Sequence, residues 1–180
     1  MSSLHSPFRH CPHCAHSSNC ASPREFRCAD CGFRYFHNVA AAVAAFIVHD
    51  GYLLLTRRAH APAAGTLDLP GGFVDPHESL EQALARELDE ELGLAIAPGH
   101  ERYLFSLPNH YAFAGISYAT ADSFFRIDCA TRPLVLARDD VVEVMWLRFD
   151  EIDATAIGLD SARAAVVRLV EEAVASQTKV

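Results

Sequence analysis

Apolar residues recur along this chain at helix and strand spacings, and their order maps the elements before any chemistry is considered. Leu80, Leu84, Leu88 and Leu92 repeat at every fourth position, which lays one stripe along a helix. Asp75 is a suitable N-cap for that helix, Pro76 a suitable first residue and Glu78 the reciprocal partner of a capping box. Upstream, Val39 to His49 and Tyr52 to Arg57 read as two strands, and Asp50-Gly51 between them predicts a hairpin. Downstream, Leu94 to Leu107 and Tyr111 to Ile127 read as strands split by Pro108-Asn109-His110, and Val141 to Leu147 reads as the last strand. Asp160 or Ser161 is expected to cap a closing helix with Ala165, Leu169 and Ala173 on one face. No internal repeat or low-complexity segment interrupts this order.

The first helix is chemically unusual. Glu87, Glu90 and Glu91 fall within an arc of roughly 100° of its surface, and like charges at i,i+4 weaken a helix. Glu87 and Glu91 project beside Leu80 and Leu84, whereas a solvated face would run through Gln82, Arg86 and Asp89. The acids are therefore expected to face inward, where a cation must offset their repulsion. Carboxylates clustered without Cys or His select hard ions such as Mg²⁺ or Mn²⁺. Arg86, the one base of the helix, can hold Glu90 at i+4 or Glu78 in a fixed rotamer. Gly71-Gly72 ahead of the helix reads both as a tight turn and as a close backbone approach to a ligand.

A second cluster lies near the start. Cys11-Pro-His-Cys14 and Cys28-Ala-Asp-Cys31 are separated by 13 residues, and two such knuckles read as a four-thiolate zinc ribbon. His5, His10, His13 and His16 surround the first knuckle, but four thiolates already complete a closed site. Cys20 and Cys129 have no partners in register and are assigned no role. A pair of disulfides is disfavoured, since no signal peptide precedes the knuckles.

Composition bounds the rest. At 180 residues with 51% apolar content, the chain can bury one core and a small satellite module. Its longest apolar run is too short to span a bilayer, so a cytoplasmic protein is expected, with no membrane partner. The formal charge of −8 becomes about −10 once four thiolates hold a zinc ion. A molecule so acidic repels polyanions, so no nucleic-acid partner is expected.

The string from Gly72 to Leu94 resembles the Nudix box, Gly-x5-Glu-x7-Arg-Glu-(aliphatic)-x-Glu-Glu-x-Gly-(aliphatic), at all nine specified positions. The resemblance implies a Nudix α/β/α sandwich around a mixed sheet over residues 37–180, preceded by a zinc ribbon over residues 1–36. It implies a pyrophosphohydrolase that acts on a nucleoside diphosphate linked to another moiety. Mg²⁺ or Mn²⁺ is then expected at Gly72 (through its carbonyl), Glu87, Glu90 and Glu91, with Zn²⁺ at Cys11, Cys14, Cys28 and Cys31. Glu87, assisted by Arg86 and Glu90, is expected to bind metal and orient or deprotonate the attacking water. Glu143, three residues before Trp146, looks like the acid that the zinc-containing NADH pyrophosphatase branch supplies from outside the box, with Asp139, Asp140 and Asp122 as competitors.

That branch also carries a Ser-Gln-Pro-Trp-Pro-Phe-Pro array, where this chain has Ser106-Leu-Pro-Asn-His110-Tyr111. The substrate therefore stays open among ADP-ribose, FAD and NADH types, with a modified nucleoside triphosphate, or a non-catalytic sensing or protein-binding module, as alternatives. Arg57 and Arg58 are candidates for a phosphate contact and Tyr111 for stacking on a base. Tyr103, Phe105, Phe113 and Tyr118 fit core packing better. A homodimer is implied by the resemblance alone.

Overall fold

The computed structural model describes residues 8–17, 22 and 24–177, with side chains to residue 173. It divides the chain into two compact units, Met1–Val39 and Ala40–Val180. His5 and Cys20 lie outside the described residues.

In the first unit, β1 (Glu25–Arg27) pairs antiparallel with β2 (Arg34–Phe36). Turns at both knuckles bend the chain back on itself: Ala15 N–H donates to the Cys11 carbonyl, and Gly32 N–H, at φ +75°, to that of Cys28. The small core consists of Phe26, Cys11 and Cys28, with Phe8 and Phe33 against it. So little apolar surface cannot hold a fold of this size alone, which is the circumstance in which a structural metal is used.

The second unit is a mixed sheet with one helix on each face. β3 (Ala40–His49) and β4 (Tyr52–Arg58) form the expected hairpin, with Asp50 and Gly51 both at positive φ. β5 (Leu67–Asp68) and β6 (Gly71–Phe73) lead into α1 (Leu80–Leu92); β7 (Arg102–Phe113), β8 (Ile116–Asp128), β9 (Val141–Arg148) and α2 (Asp160–Gln177) complete it. The main strand order is β5-β4-β3-β8-β7, with β6 paired to β3 and β9 to β4. The β3–β8 pair is parallel, and both strands are covered on both faces. Alternate side chains explain this: Val43, Ala45 and Ile47 pack with Leu84 and Leu88 of α1, while Phe46 and Val48 pack with Ala165 and Leu169 of α2. Burying each of these leucines stabilises the fold by about 1.5–3 kcal/mol. The α/β/α sandwich is thus present.

Four local expectations are corrected. The helix cap is Ser79, whose hydroxyl accepts from Gln82 N–H while Gln82 accepts from Ser79 N–H. The Asp75-to-Glu78 pairing exists, with Glu78 accepting from Asp75 N–H, but His77 at φ +75° breaks that turn before it can start the helix. The strand break is not at Pro108-Asn109-His110. β7 runs through Pro108, whose missing donor is harmless on an edge strand, and the reversal comes at Ala114-Gly115, both at positive φ. Residues 94–101, expected to be strand, are irregular. Finally, α2 begins at Asp160, and Ser161 gives its hydroxyl proton to Asp122 instead of capping the helix.

Candidate functional site

Two glycines prepare the acidic cleft. Gly71 N–H donates to Glu91 Oε2 at 2.9 Å, and its φ of +143° sets it so close to β3 that a Cβ would lie 2.1 Å from the Val43 carbonyl oxygen. A Cβ on Gly72 would lie 2.5 Å from the Glu87 carboxyl carbon. One glycine therefore anchors a box carboxylate, and the other leaves the space that a second one fills.

α1 delivers the carboxylates at graded depth. Glu91 is buried, Glu87 half-buried and Glu90 exposed. Arg86 ties several of them together: its Nε donates to Glu78 at 2.8 Å, its Nη1 to Glu87 Oε1 at 2.8 Å and Glu90 Oε2 at 2.9 Å, and its Nη2 to the Phe73 carbonyl at 2.9 Å. Glu87 Oε2 is left without a partner among the described residues. Burial raises the Glu87 carboxyl above its ordinary value despite Arg86 beside it. Glu91, which no cation contacts among the described residues, is pushed up to about 8, first by burial and then by the charges of Glu87, Asp68 and Asp140.

The acids from outside the box arrive through the end of the helix. The last carbonyls of an α-helix lack partners within it, and here Arg138 N–H donates to the Glu91 carbonyl at 2.9 Å and Leu136 N–H to that of Leu92 at 3.1 Å. This docking brings Asp139 and Asp140 to a cleft that they line with Glu87, Glu91, Asp68 and Arg58. Five carboxylates and one guanidinium therefore line the cleft, and Arg86 reaches only Glu87 among the five.

Glu143 and Arg57 do not line this cleft. They form a cross-strand pair, Arg57 Nε to Glu143 Oε2 at 3.0 Å, and Arg57 also donates to the Gly65 carbonyl. Asp122 lies buried beside α2 instead. Arg58, the neighbour of Arg57, bonds Asp68 at 2.8 Å and the Tyr111 hydroxyl at 3.3 Å, and Tyr111 lines the cleft as well. Asp68 was missed by sequence reasoning; its one signal is a charge inside the apolar string Leu67-Asp-Leu-Pro70. Burial raises its carboxyl even with Arg58 bound.

The cysteine cluster is tighter. Sulfur atoms of Cys11, Cys14, Cys28 and Cys31 all lie within 4.8 Å of one another, with Cys11–Cys31 at 3.7 Å and Cys14–Cys28 at 3.6 Å. Tetrahedral zinc with bonds of about 2.3 Å requires sulfurs about 3.8 Å apart, so the four residues fit that ion. Backbone N–H groups of Cys31 and Asp30 pull the Cys28 thiol down to about 6, whereas burial and the neighbouring thiols push Cys14 up to about 12. His13 stacks on Phe33, outside the sulfur cluster.

The carboxylates are more widely spaced. Among the described residues, no set of three of them converges within the span that the sulfurs occupy. Their all-oxygen donor set, and a buried Glu91 contacted by no cation, suit a hard dication.

Residues 37–172 match the family model described as NUDIX domain. The chain belongs to the NUDIX family. It is 30% identical over 169 residues to the NAD-capped RNA hydrolase NudC of Shigella dysenteriae serotype 1, covering 93% of this chain and 60% of NudC. An ADP-ribose pyrophosphatase of Methanocaldococcus jannaschii is 42% identical over 62 residues, 34% of this chain and 37% of that protein. Among solved structures, a NUDIX hydrolase from Nitrosomonas europaea superposes with a TM-score of 0.65 over 92% of each chain at 22% identity, a likeness of fold alone. The chain spans about half to three fifths of the NudC relatives that it matches. The printed name of NudC couples that relative to NAD-capped RNA, so the expectation of no nucleic-acid partner does not stand on net charge alone. No helix among the described residues is long and apolar enough to cross a membrane.

Proposed function

We propose that this NUDIX protein is a Mg²⁺- or Mn²⁺-dependent pyrophosphohydrolase that cleaves the diphosphate link of an ADP-containing compound of the ADP-ribose, FAD or NADH type. The observation that carries this reading is the cleft lined by Glu87, Glu91, Asp68, Asp139 and Asp140, where Arg58 is the one lining guanidinium and Arg86 reaches Glu87 alone of the five. A surface with no cationic ligand to receive would gain nothing from such repulsion. The names of the NudC and ADP-ribose pyrophosphatase relatives support the choice of substrate class. A dinucleotide carried at an RNA 5′ end presents the same diphosphate, so the proposal includes RNA as a bearer of the bond.

Divalent cations in the cleft would neutralise phosphate charge and acidify a water. The remaining work belongs to the protein. Glu87 Oε2 accepts the proton of the attacking water, while Arg86 on Oε1 fixes the carboxylate in place. Gly71 N–H holds Glu91, and Arg86 holds Glu78 and Glu90. Asp139, Asp140, Glu90 and the Gly72 carbonyl would complete the oxygen donor set that holds the cations. We assign the acid from outside the box to Asp139-Asp140 because Glu143 is engaged by Arg57.

The test is Glu87→Gln assayed on ADP-ribose, FAD and NADH with analysis of products. Turnover should fall by about 10²–10⁴-fold with the melting temperature retained, and the products should each carry one phosphate of the cleaved link. Release of inorganic pyrophosphate from nucleoside triphosphates in preference to these substrates, or unchanged turnover of the variant, overturns the reading.

A further inference from the structure

A second cleft opens where the sheet meets the start of α2. It holds about 510 Å³ of space, part of it open to solvent, and shares Arg58, Asp68, Leu69, Gly71 and Tyr111 with the acidic cleft. The sharing makes the two one trough, with Arg58 at the junction.

The room comes from small residues. Ala42, Ala44, Phe46 and Val48 alternate onto one face of β3; the last two are filled against α2, whereas the alanines line the cleft. On the neighbouring strand the same face carries Thr120 and Asp122 before Phe124. One edge of the cleft is aromatic, with Phe73 and Tyr111 meeting edge to face at 5.2 Å between centroids.

The polar floor has a definite sense. Asp122, 8% exposed, accepts from Asn109 Nδ2 at 3.0 Å, from Thr120 Oγ1 and from Ser161 Oγ. A carboxylate can only accept, so it turns both hydroxyl protons and the Asn109 amide nitrogen toward itself. Asn109 Oδ1 must then point the other way. No described residue donates to it, and Asn109 lines the cleft. Apart from the second Asn109 N–H, what the floor offers a ligand is therefore acceptors: the Asn109 carbonyl oxygen and the remaining lone pairs of the two hydroxyls and Asp122. An oxygen-bearing ring edge or a phosphate would meet lone pairs there, and a ring carrying an amino group would not.

We propose that this cleft is a recognition subsite for an aromatic ring with an amino donor, as in adenine or the carboxamide of nicotinamide, and that Asn109, oriented by Asp122, selects it. The assignment rests on the pyrophosphohydrolase reading for its place in the substrate: the ring lies between α2 and the Phe73–Tyr111 edge while the diphosphate extends past Arg58 to the glutamates. A buried acceptor left unmatched discriminates strongly against an analogue that lacks the donor.

The test is calorimetric binding to the full chain in Mg²⁺, using AMP against IMP and nicotinamide mononucleotide against nicotinic acid mononucleotide. In at least one pair the amino member should bind tenfold or more tightly, and the pair that discriminates identifies the ring. Asn109→Leu should erase the preference, and Ser161→Ala, which leaves Asn109 in place but frees one lone pair of Asp122, should weaken it. Equal binding within both pairs in the unmodified protein overturns the subsite whether or not the variants fold. Selectivity without hydrolysis of any diphosphate keeps the subsite and removes the hydrolase reading. Hydrolysis without selectivity does the reverse.

Discussion

Two groups of candidate ligand side chains in this chain present opposite arrangements. The four sulfurs of the ribbon lie within 4.8 Å of one another around a single point, and only Phe26 among their neighbours is a large, fully buried side chain. The carboxylates of the NUDIX unit are held at graded depth along a trough, two of them occupied by Arg86, against a sandwich with a full core on each face of its sheet. In the first, a bound ion would substitute for a core; in the second, the core holds repelling charges that Arg58 and Arg86 offset only in part. A closed thiolate site suits structure, and an open oxygen site suits turnover.

The largest effect should separate the two. Zinc in a four-cysteine site contributes on the order of 10–16 kcal/mol to the folding of small ribbons, so chelation should abolish order in residues 8–36. Amide spectra should then retain the dispersed signals of the sheet, and pyrophosphatase activity should survive in part once Mg²⁺ is restored. Collapse of the sheet signals along with those of the ribbon would contradict two independently folding modules.

Next come the adjacent glycines, which are expected to fail in different ways. Gly71→Ala forces a Cβ to within 2.1 Å of a backbone carbonyl at a φ of +143° and should cost more than about 3 kcal/mol of stability. Gly72→Ala displaces only the tip of the Glu87 side chain, so the melting temperature should change little while turnover drops about 10²-fold. Thermal melts paired with kinetics decide it. Equal losses of stability would mean that Gly72 is merely part of a tight turn.

What the sequence disclosed about these regions follows the range of the interactions. The β3–β4 hairpin, α1 and the Arg86 bridge are legible because Asp50-Gly51, the leucine stripe and the i,i+4 pair act over a few residues. The N-cap was misassigned because two overlapping boxes, Asp75 with Glu78 and Ser79 with Gln82, have the same spacing; the positive φ of His77 that decides between them has no sequence signal. The β7–β8 reversal was misplaced because a proline stands out, whereas Ala114-Gly115 is a weak turn signal and edge strands tolerate proline. Asp139 and Asp140 are set by backbone bonds from Leu136 and Arg138 to the end of α1, contacts across more than 40 residues of chain that no local pattern encodes. Asp68 reaches the cleft by the fold of the sheet and was missed for the same reason.

A smaller effect concerns pH in protein stripped of divalent cations. The Glu91 carboxyl lies near 8 when folded, against an ordinary value of 4.5, so the folded form holds the proton more tightly than the unfolded form. Stability is thus lost as pH rises through this window, by an amount on the order of a few kcal/mol. Below 4.5 both forms are protonated, and above 8 the loss is complete. Melting temperatures measured in chelator should fall from pH 5 to 8, Glu91→Gln should flatten the profile, and Mg²⁺ should restore stability at the alkaline end. A flat profile in the unmodified protein would remove the buried repulsion from the account.

The smallest effect bears on which acid completes the oxygen site. Glu143 is more than half exposed and paired with Arg57, an arrangement worth about 0–1 kcal/mol, so Glu143→Gln should leave stability nearly unchanged. The Mg²⁺ concentration for half-maximal activity should also stay within about twofold, whereas Asp140→Asn, which removes charge from the cleft shared with Glu91, should raise it about tenfold or more. The opposite ranking would mean that Glu143 leaves Arg57 to join the cation in the working enzyme, and that the paired geometry belongs to the cation-free protein alone.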